Sequence, residues 1–150
     1  MYLSYKDLAG IFPETRGVQD EMQFLNVTDY SKIPQAKGIF IPLSSISGEL
    51  DEAIENGAIA AVWDKQSPLP RYTPNHFPLF LTDDLQEGTK KLLEYYVEKI
   101  DGETDMDMAI TNFYFLTETL LNKNQQTYDI AGILKKLSGY TSTNDLKGGE

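Results

Sequence analysis

Helical patterns occur in three parts of residues 1–100. Residues 85–100 carry apolar side chains at every third or fourth position, which predicts an amphipathic helix that begins at the capping residue Asp84. Ser4, with an acidic residue three positions later, predicts the start of a shorter helix that ends near Ile11. A third helical stretch spans residues 50–57 and closes on a glycine, as helices often do.

Strand-length apolar runs stand between these helices. Near-continuous runs of this kind are typical of strands that are covered on both faces, as in parallel sheets. The proline at position 78 favours a strand edge or a strand start for the last run. Strands that alternate with helices predict an α/β layered domain, with a small mixed or parallel sheet flanked by helices. The predicted strands are Met22–Val27, Gly38–Leu43, Ala58–Trp63 and Phe77–Leu81.

The pattern changes after residue 100, and three regions follow from it. Residues 1–100 form the α/β domain, and residues 101–138 are predicted to be a helical extension packed on that domain. The extension begins with an acidic hinge, continues as a helix over Ile110–Asn122, and ends in a helix capped by Asp129. Residues 139–150 are polar and glycine-containing, which predicts a flexible tail.

Charge and composition narrow the classes of partner. The chain has 150 residues and a formal net charge of −10, which disfavours nucleic acid and anionic membrane surfaces as partners. It contains no cysteine, which fits a reducing compartment. There is no basic stretch followed by an apolar one at the N-terminus, and no apolar run near the roughly 20 residues that span a bilayer. These features predict a cytoplasmic protein.

The order of short motifs resembles that of a known enzyme family. Several weak motifs follow one another over residues 1–100, and together they resemble the N-terminal, UDP-sugar-recognising domain of the Mur ligases. Those enzymes add amino acids or dipeptides to UDP-N-acetylmuramic acid precursors of peptidoglycan. The motifs are the run Asp29-Tyr30-Ser31-Lys32, the strand Gly38–Leu43, the helix and strand over residues 51–62, and the strand, aspartates and helix over residues 80–96.

The resemblance implies a ligand and four residues that contact it. Ser31 matches the family's serine and Lys32 its arginine, while Ser44 and Ser45 lie in the loop after the second strand. Hydroxyl groups, backbone amides and a cation suit the diphosphate of UDP-N-acetylmuramic acid or a related precursor. Lysine offers a point charge where arginine offers a two-pronged donor, and Tyr30 replaces the motif's aspartate. The competing interpretation is a solvated loop at 31–32, with the serines capping turns and helices.

The family's ATP-binding loop is not recognisable in this chain. We therefore expect a non-catalytic protein without a cofactor. The family's glycine-rich loop would start near residues 109–112, but the bulky aromatics Phe113, Tyr114 and Phe115 follow there. A second similar stretch, residues 139–144, continues with an aspartate and a leucine instead of glycine and lysine. The chain also has no room for the family's central and C-terminal domains. The only histidine, His76, has no companion that would make a catalytic or metal site, and no metal is predicted.

Three hypotheses about function therefore remain open. The first is a non-catalytic, stand-alone domain that binds a nucleotide-sugar or serves as an accessory in cell-wall synthesis. The second is an interaction module that retains the fold without the ligand and binds a protein partner or a second copy of itself. The third is the N-terminal piece of a larger ATP-dependent ligase, against which the replaced residues at 113–115 argue.

Overall fold

A computed structural model of the chain describes residues 2–101 and 110–116. The helices are α1 (Tyr5–Ile11), α2 (Leu50–Glu55) and α3 (Leu85–Asp101), with a short 3₁₀ turn at Ser45–Ser47. The strands are β1 (Leu3–Ser4), β2 (Thr15–Arg16), β3 (Gln23–Phe24), β4 (Asn26–Thr28), β5 (Gly38–Phe40), β6 (Ala58–Asp64), β7 (Leu79–Thr82) and β8 (Asn112–Tyr114).

Six of these strands form one mixed sheet in the order β2-β7-β6-β5-β4-β8. Neighbours from β7 to β8 are parallel, and only β2 runs antiparallel to its neighbour β7. A separate antiparallel pair joins β1 to β3. The predicted α/β layered fold with a small mixed sheet is confirmed.

Successive residues along a strand belong to two different apolar clusters, which lie on opposite faces of the sheet. The two-residue period of a strand requires this alternation. Ile39 lies in the cluster that also contains residues of α1 and α3, whereas Phe40 lies in the cluster that contains residues of α2. The larger cluster, under α1 and α3, includes Leu8, Val27, Ile39, Val62, Phe80, Leu92 and Tyr96. Coverage on both faces explains why the central strands β5, β6 and β7 are apolar along most of their length.

Helix α1 begins with the predicted capping box. The Ser4 hydroxyl accepts the Asp7 N–H at 3.2 Å, and the Asp7 carboxylate accepts the Ser4 N–H at 3.0 Å. The same carboxylate accepts hydrogen bonds of 2.5 Å from the Tyr95 hydroxyl and the Lys99 ammonium. A capping residue of α1 is therefore also the group that links α1 to α3.

These contacts change the acidity of both groups. Burial of the Asp7 carboxyl raises its pKa, but the hydrogen bonds from Lys99, Tyr95 and Ser4 outweigh burial and hold the pKa below its ordinary value of 3.8. The hydrogen bond to the Asp7 carboxylate, together with burial, raises the pKa of Tyr95 to about 12. Both pKa shifts therefore favour an ionised Asp7 carboxylate and a neutral Tyr95 hydroxyl in the folded protein.

The structure corrects the predicted helix over Ile110–Asn122. Residues Asn112–Tyr114 form β8, which pairs in parallel with β4 at the edge of the sheet. Thr111 precedes the strand and fixes its position, because its buried hydroxyl accepts the Leu3 N–H at 2.9 Å and donates to the Phe24 carbonyl at 2.7 Å. The apolar residues at 113 and 115 have the two-residue spacing of a strand, and this segment pairs with β4.

The other predicted parts of the helical extension lie outside the described residues. These are positions 117–122, the helix capped by Asp129, the tail over residues 139–150, and the acidic hinge beyond Asp101. The second stretch that resembles an ATP loop, residues 139–144, lies outside them as well.

Three predicted strands differ in extent from the structure. The run Phe77–Leu81 is the strand β7, which begins only at Leu79 and ends at Thr82. The run Met22–Val27 is divided between β3 and β4, which belong to different sheets, and the run Gly38–Leu43 is a strand only as far as Phe40.

Pro78 immediately precedes β7, which lies between β6 and β2 in the sheet. The strand-start explanation for this proline is thus the correct one, since β7 is an interior strand.

Candidate functional site

The two loops that carry the predicted ligand residues lie side by side at the carboxyl ends of β4 and β5. The Ser31 N–H donates to the Ser47 carbonyl at 2.8 Å, which joins the loop after β4 to the loop that follows β5. Ser31 also contacts Gly48, where an added Cβ would stand 1.9 Å from the Ser31 Oγ. Gly48 has a φ of 96°, so both its conformation and this close approach require glycine.

The side chain of Ser31 is fully buried in this contact. Its hydroxyl donates to the Glu52 carboxylate of α2 at 2.7 Å, and its carbonyl accepts from the Asn56 side chain at 2.8 Å. The hydroxyl hydrogen is therefore used inside the protein. Ser31 attaches the loop after β4 to helix α2, which positions the neighbouring residues at the surface.

The serines of the second loop form a small capping arrangement. The Ser44 hydroxyl accepts the Ile46 N–H at 3.3 Å, and the Ser47 hydroxyl accepts the Ser44 N–H at 3.2 Å. Ser44 is half-buried and Ser47 is fully buried, while Ser45 is exposed. Ser44 is thus the N-cap of the 3₁₀ turn, and Ser47 completes the capping box, which agrees with the interpretation of serines in this loop as capping residues.

Lys32 and Ser45 are the two predicted residues whose side chains are exposed. Lys32 follows the buried Ser31, and Ser45 opens the 3₁₀ turn in the adjoining loop. A ligand at this edge of the sheet would meet a lysine ammonium, a serine hydroxyl and loop backbone. Two carboxylates belong to the same region, because Glu49 is exposed in the loop after β5 and Glu52 accepts the hydrogen bond from Ser31. An anionic ligand would depend on Lys32 to offset these charges.

Asp29 is a residue of this edge to which the sequence analysis gave no function. It is fully buried directly after β4, and its carboxylate accepts the Leu116 N–H, which follows β8, at 3.0 Å. The carboxylate therefore connects the ends of two neighbouring parallel strands. The sequence feature that could have identified Asp29 is its position directly after a buried strand. Polar groups at the carboxyl ends of parallel strands often belong to ligand-binding sites.

The order of strands reverses at this place in the sheet. The chain proceeds from β4 through β5 and β6 to β7, and then returns through α3 to place β8 on the other side of β4. In open α/β sheets, ligands commonly bind outside the carboxyl ends of the strands where the order reverses. Asp29 and the loop after β4 border this point of reversal, and the loop after β5 lies one strand away.

Other kinds of site are not evident within residues 2–101 and 110–116. No group of three or more histidine or acidic side chains there could hold a metal ion. In the same part of the chain, no helix combines the length and the apolar character needed to cross a membrane. His76 is exposed, and its carbonyl accepts the Val18 N–H at 3.0 Å, so its described role is in the backbone of the loop before β7.

Comparison with known proteins gives no assignment: no protein-family model matches this sequence, and a search of curated proteins finds no match.

Proposed function

We propose that this chain is a non-catalytic binding domain of the Mur-ligase N-terminal type, and that its ligand is UDP-N-acetylmuramic acid or a related precursor. The observation that carries the proposal is the hydrogen bond from the Ser31 N–H to the Ser47 carbonyl. It joins two loops that are separate in the sequence, and the resemblance implies ligand contacts in both of them. Both lie at the edge where α/β sheets commonly bind ligands.

In this proposal the four predicted residues have different functions. Lys32 and Ser45 are exposed and supply the direct contacts to the diphosphate. Ser44 and Ser31 hold the two loops, through the cap on the 3₁₀ turn and through the bond to Glu52. The proposal includes no ATP chemistry, because the stretch where the family has its phosphate-binding glycines is the aromatic strand β8.

A second candidate is the interaction module that binds a protein partner or a second copy of this chain. Two observations favour it: the Ser31 hydroxyl is already used by Glu52, and this places the Glu52 carboxylate at the residue that precedes Lys32. A diphosphate would have to approach this carboxylate in a chain whose net charge is −10. Measured affinity for the nucleotide-sugar decides between the two candidates.

The test is thermal unfolding of the full chain with and without UDP-N-acetylmuramic acid. At a ligand concentration of about 100 times Kd, binding adds about 2.7 kcal/mol, which for a chain of this size raises the melting temperature by about 5–10 °C. Lys32→Ala should weaken binding about tenfold, because it removes a charge-assisted hydrogen bond that exposure makes weaker than a buried one. Lys6→Ala is the matched control, since Lys6 is an exposed lysine on α1.

The outcomes are distinct. Stabilisation that Lys32→Ala reduces and Lys6→Ala leaves unchanged supports nucleotide-sugar binding at the paired loops. No stabilisation at saturating ligand leaves the interaction module. Release of phosphate from ATP by the purified chain would instead favour the ligase hypothesis, and we expect none.

A further inference from the structure

A cavity of about 360 Å³ lies beside the edge strand β8, next to the later part of the loop after β4. Its walls come from β4, from β8 and from the loop segment Ile33-Pro34-Gln35. None of its lining side chains is a carboxylate, a lysine, an arginine or a histidine. In a chain that is 24% charged, this composition points to an uncharged occupant.

Gln35 is one of the residues that line this cavity, and its side chain has a hydrogen-bond acceptor that no described residue uses. The side chain is fully buried, and its amide nitrogen donates to the Tyr30 carbonyl at 3.1 Å and to the Ile33 carbonyl at 3.2 Å. Both amide hydrogens are thereby used, which fixes the amide orientation. The oxygen Oε1 has no hydrogen-bond partner among the described residues. A buried acceptor without a donor is costly, so a bound donor would be favourable.

Thr28 and Tyr114 face the same cavity from neighbouring strands. The two residues are paired in register between β4 and β8. The Thr28 hydroxyl is buried and accepts the Tyr30 N–H at 3.1 Å, which leaves its own hydrogen able to donate. Tyr114 is 52% exposed as a residue, and its ring offers a flat apolar surface at the edge of the cavity.

We propose that this cavity binds a small uncharged aromatic molecule that carries an amide N–H, such as an aromatic carboxamide or a lactam. The aromatic ring packs on Tyr114 and on the apolar walls formed by Ile33 and Pro34. The ligand N–H donates to the Gln35 Oε1, and the ligand carbonyl accepts from the Thr28 hydroxyl. This site is independent of the proposed nucleotide-sugar site, because its lining includes none of the four predicted residues.

The experiment titrates the full chain with benzamide and follows backbone amide signals by nuclear magnetic resonance. Benzamide should shift the signals of Ile33, Gln35 and Tyr114 with a Kd in the millimolar range, as is typical of very small ligands. N,N-dimethylbenzamide keeps the ring and the carbonyl but has no N–H. It should bind about tenfold more weakly, because the Gln35 acceptor then remains unpaired.

Variants at position 114 test the aromatic wall. Tyr114→Ala should abolish the benzamide shifts, whereas Tyr114→Phe should retain them, since phenylalanine keeps the ring. Absence of any shift with benzamide overturns the proposal, and so does equal binding of the two amides. The comparison of the two amides uses the unaltered protein, so it stands even if Tyr114→Ala does not fold. Neither outcome depends on whether a UDP-sugar binds at Lys32.

Discussion

Substitution of Thr111 by valine tests why the segment before residue 116 is a strand of the sheet. Valine has nearly the same shape as threonine but lacks the hydroxyl. In the structure Thr111 is 1% exposed, and its hydroxyl accepts the Leu3 N–H at 2.9 Å and donates to the Phe24 carbonyl at 2.7 Å. It therefore serves two strands of the small β1–β3 sheet at once, and valine leaves a donor and an acceptor buried without partners.

The expected loss of stability follows from these two groups. An unpaired buried polar group costs about 1–3 kcal/mol, so Thr111→Val should lower the free energy of unfolding by about 2–4 kcal/mol. That is a large share of the roughly 5–15 kcal/mol that stabilises a typical domain. With a urea dependence of about 2 kcal/mol per molar, which is a typical value for a small protein, the unfolding midpoint should fall by about 1–2 M.

The assay is urea unfolding followed by Trp63 fluorescence and by far-ultraviolet circular dichroism. Thr111→Ser is the matched control, because it keeps the hydroxyl and removes one methyl group, at a cost of about 1 kcal/mol. Valine should therefore be more harmful than serine. If Thr111→Val changed the free energy of unfolding by less than about 0.5 kcal/mol, or were milder than serine, the reasoning about β8 would be refuted.

Three further predictions concern the loops and the link between α1 and α3. Gly48→Ala should cost about 2–4 kcal/mol in urea unfolding, because it combines a positive φ with a clash against the Ser31 hydroxyl; a change near zero would contradict the close approach. Because the pKa of Asp7 is lowered in the folded state, the stability advantage of wild type over Asp7→Asn should be present above about pH 4 and shrink as pH falls through the folded pKa. An advantage that persisted unchanged in acid would contradict the ionised network. Asp7→Asn should also move the pKa of Tyr95 from about 12 towards 10.0, measured as phenolate absorbance against a Tyr95→Phe reference; an unmoved value would exclude the hydrogen bond as its cause.

Features set by local sequence were predictable. The capping box at Ser4 and the amphipathic helix that begins after Asp84 depend on residues within one or two helical turns, and both are present. The long apolar run that became β6 is also as predicted. In each case the signal and the structure it specifies lie in the same stretch of chain.

Features set by distant residues were not predictable. The strand β8 pairs with β4, which lies more than 80 residues earlier, and an apolar run of that length fits a helix equally well until its neighbour is known. The candidate site shows the same division. Loop positions for Ser31 and Ser45 followed from the sequence, but the burial of Ser31 depends on Glu52 and Gly48, which reach it only in the folded chain.

The central claim is that the paired loops bind a nucleotide-sugar, and amide signals in a titration with UDP-N-acetylmuramic acid test it most directly. Binding at this edge predicts saturable shifts at Lys32, Ser44 and Ser45. Smaller shifts are expected at the buried Ser31, whose N–H bond to Ser47 joins the loops. If signals from both loops stayed unchanged at millimolar ligand, or if saturable shifts appeared only elsewhere in the protein, the claim would be contradicted.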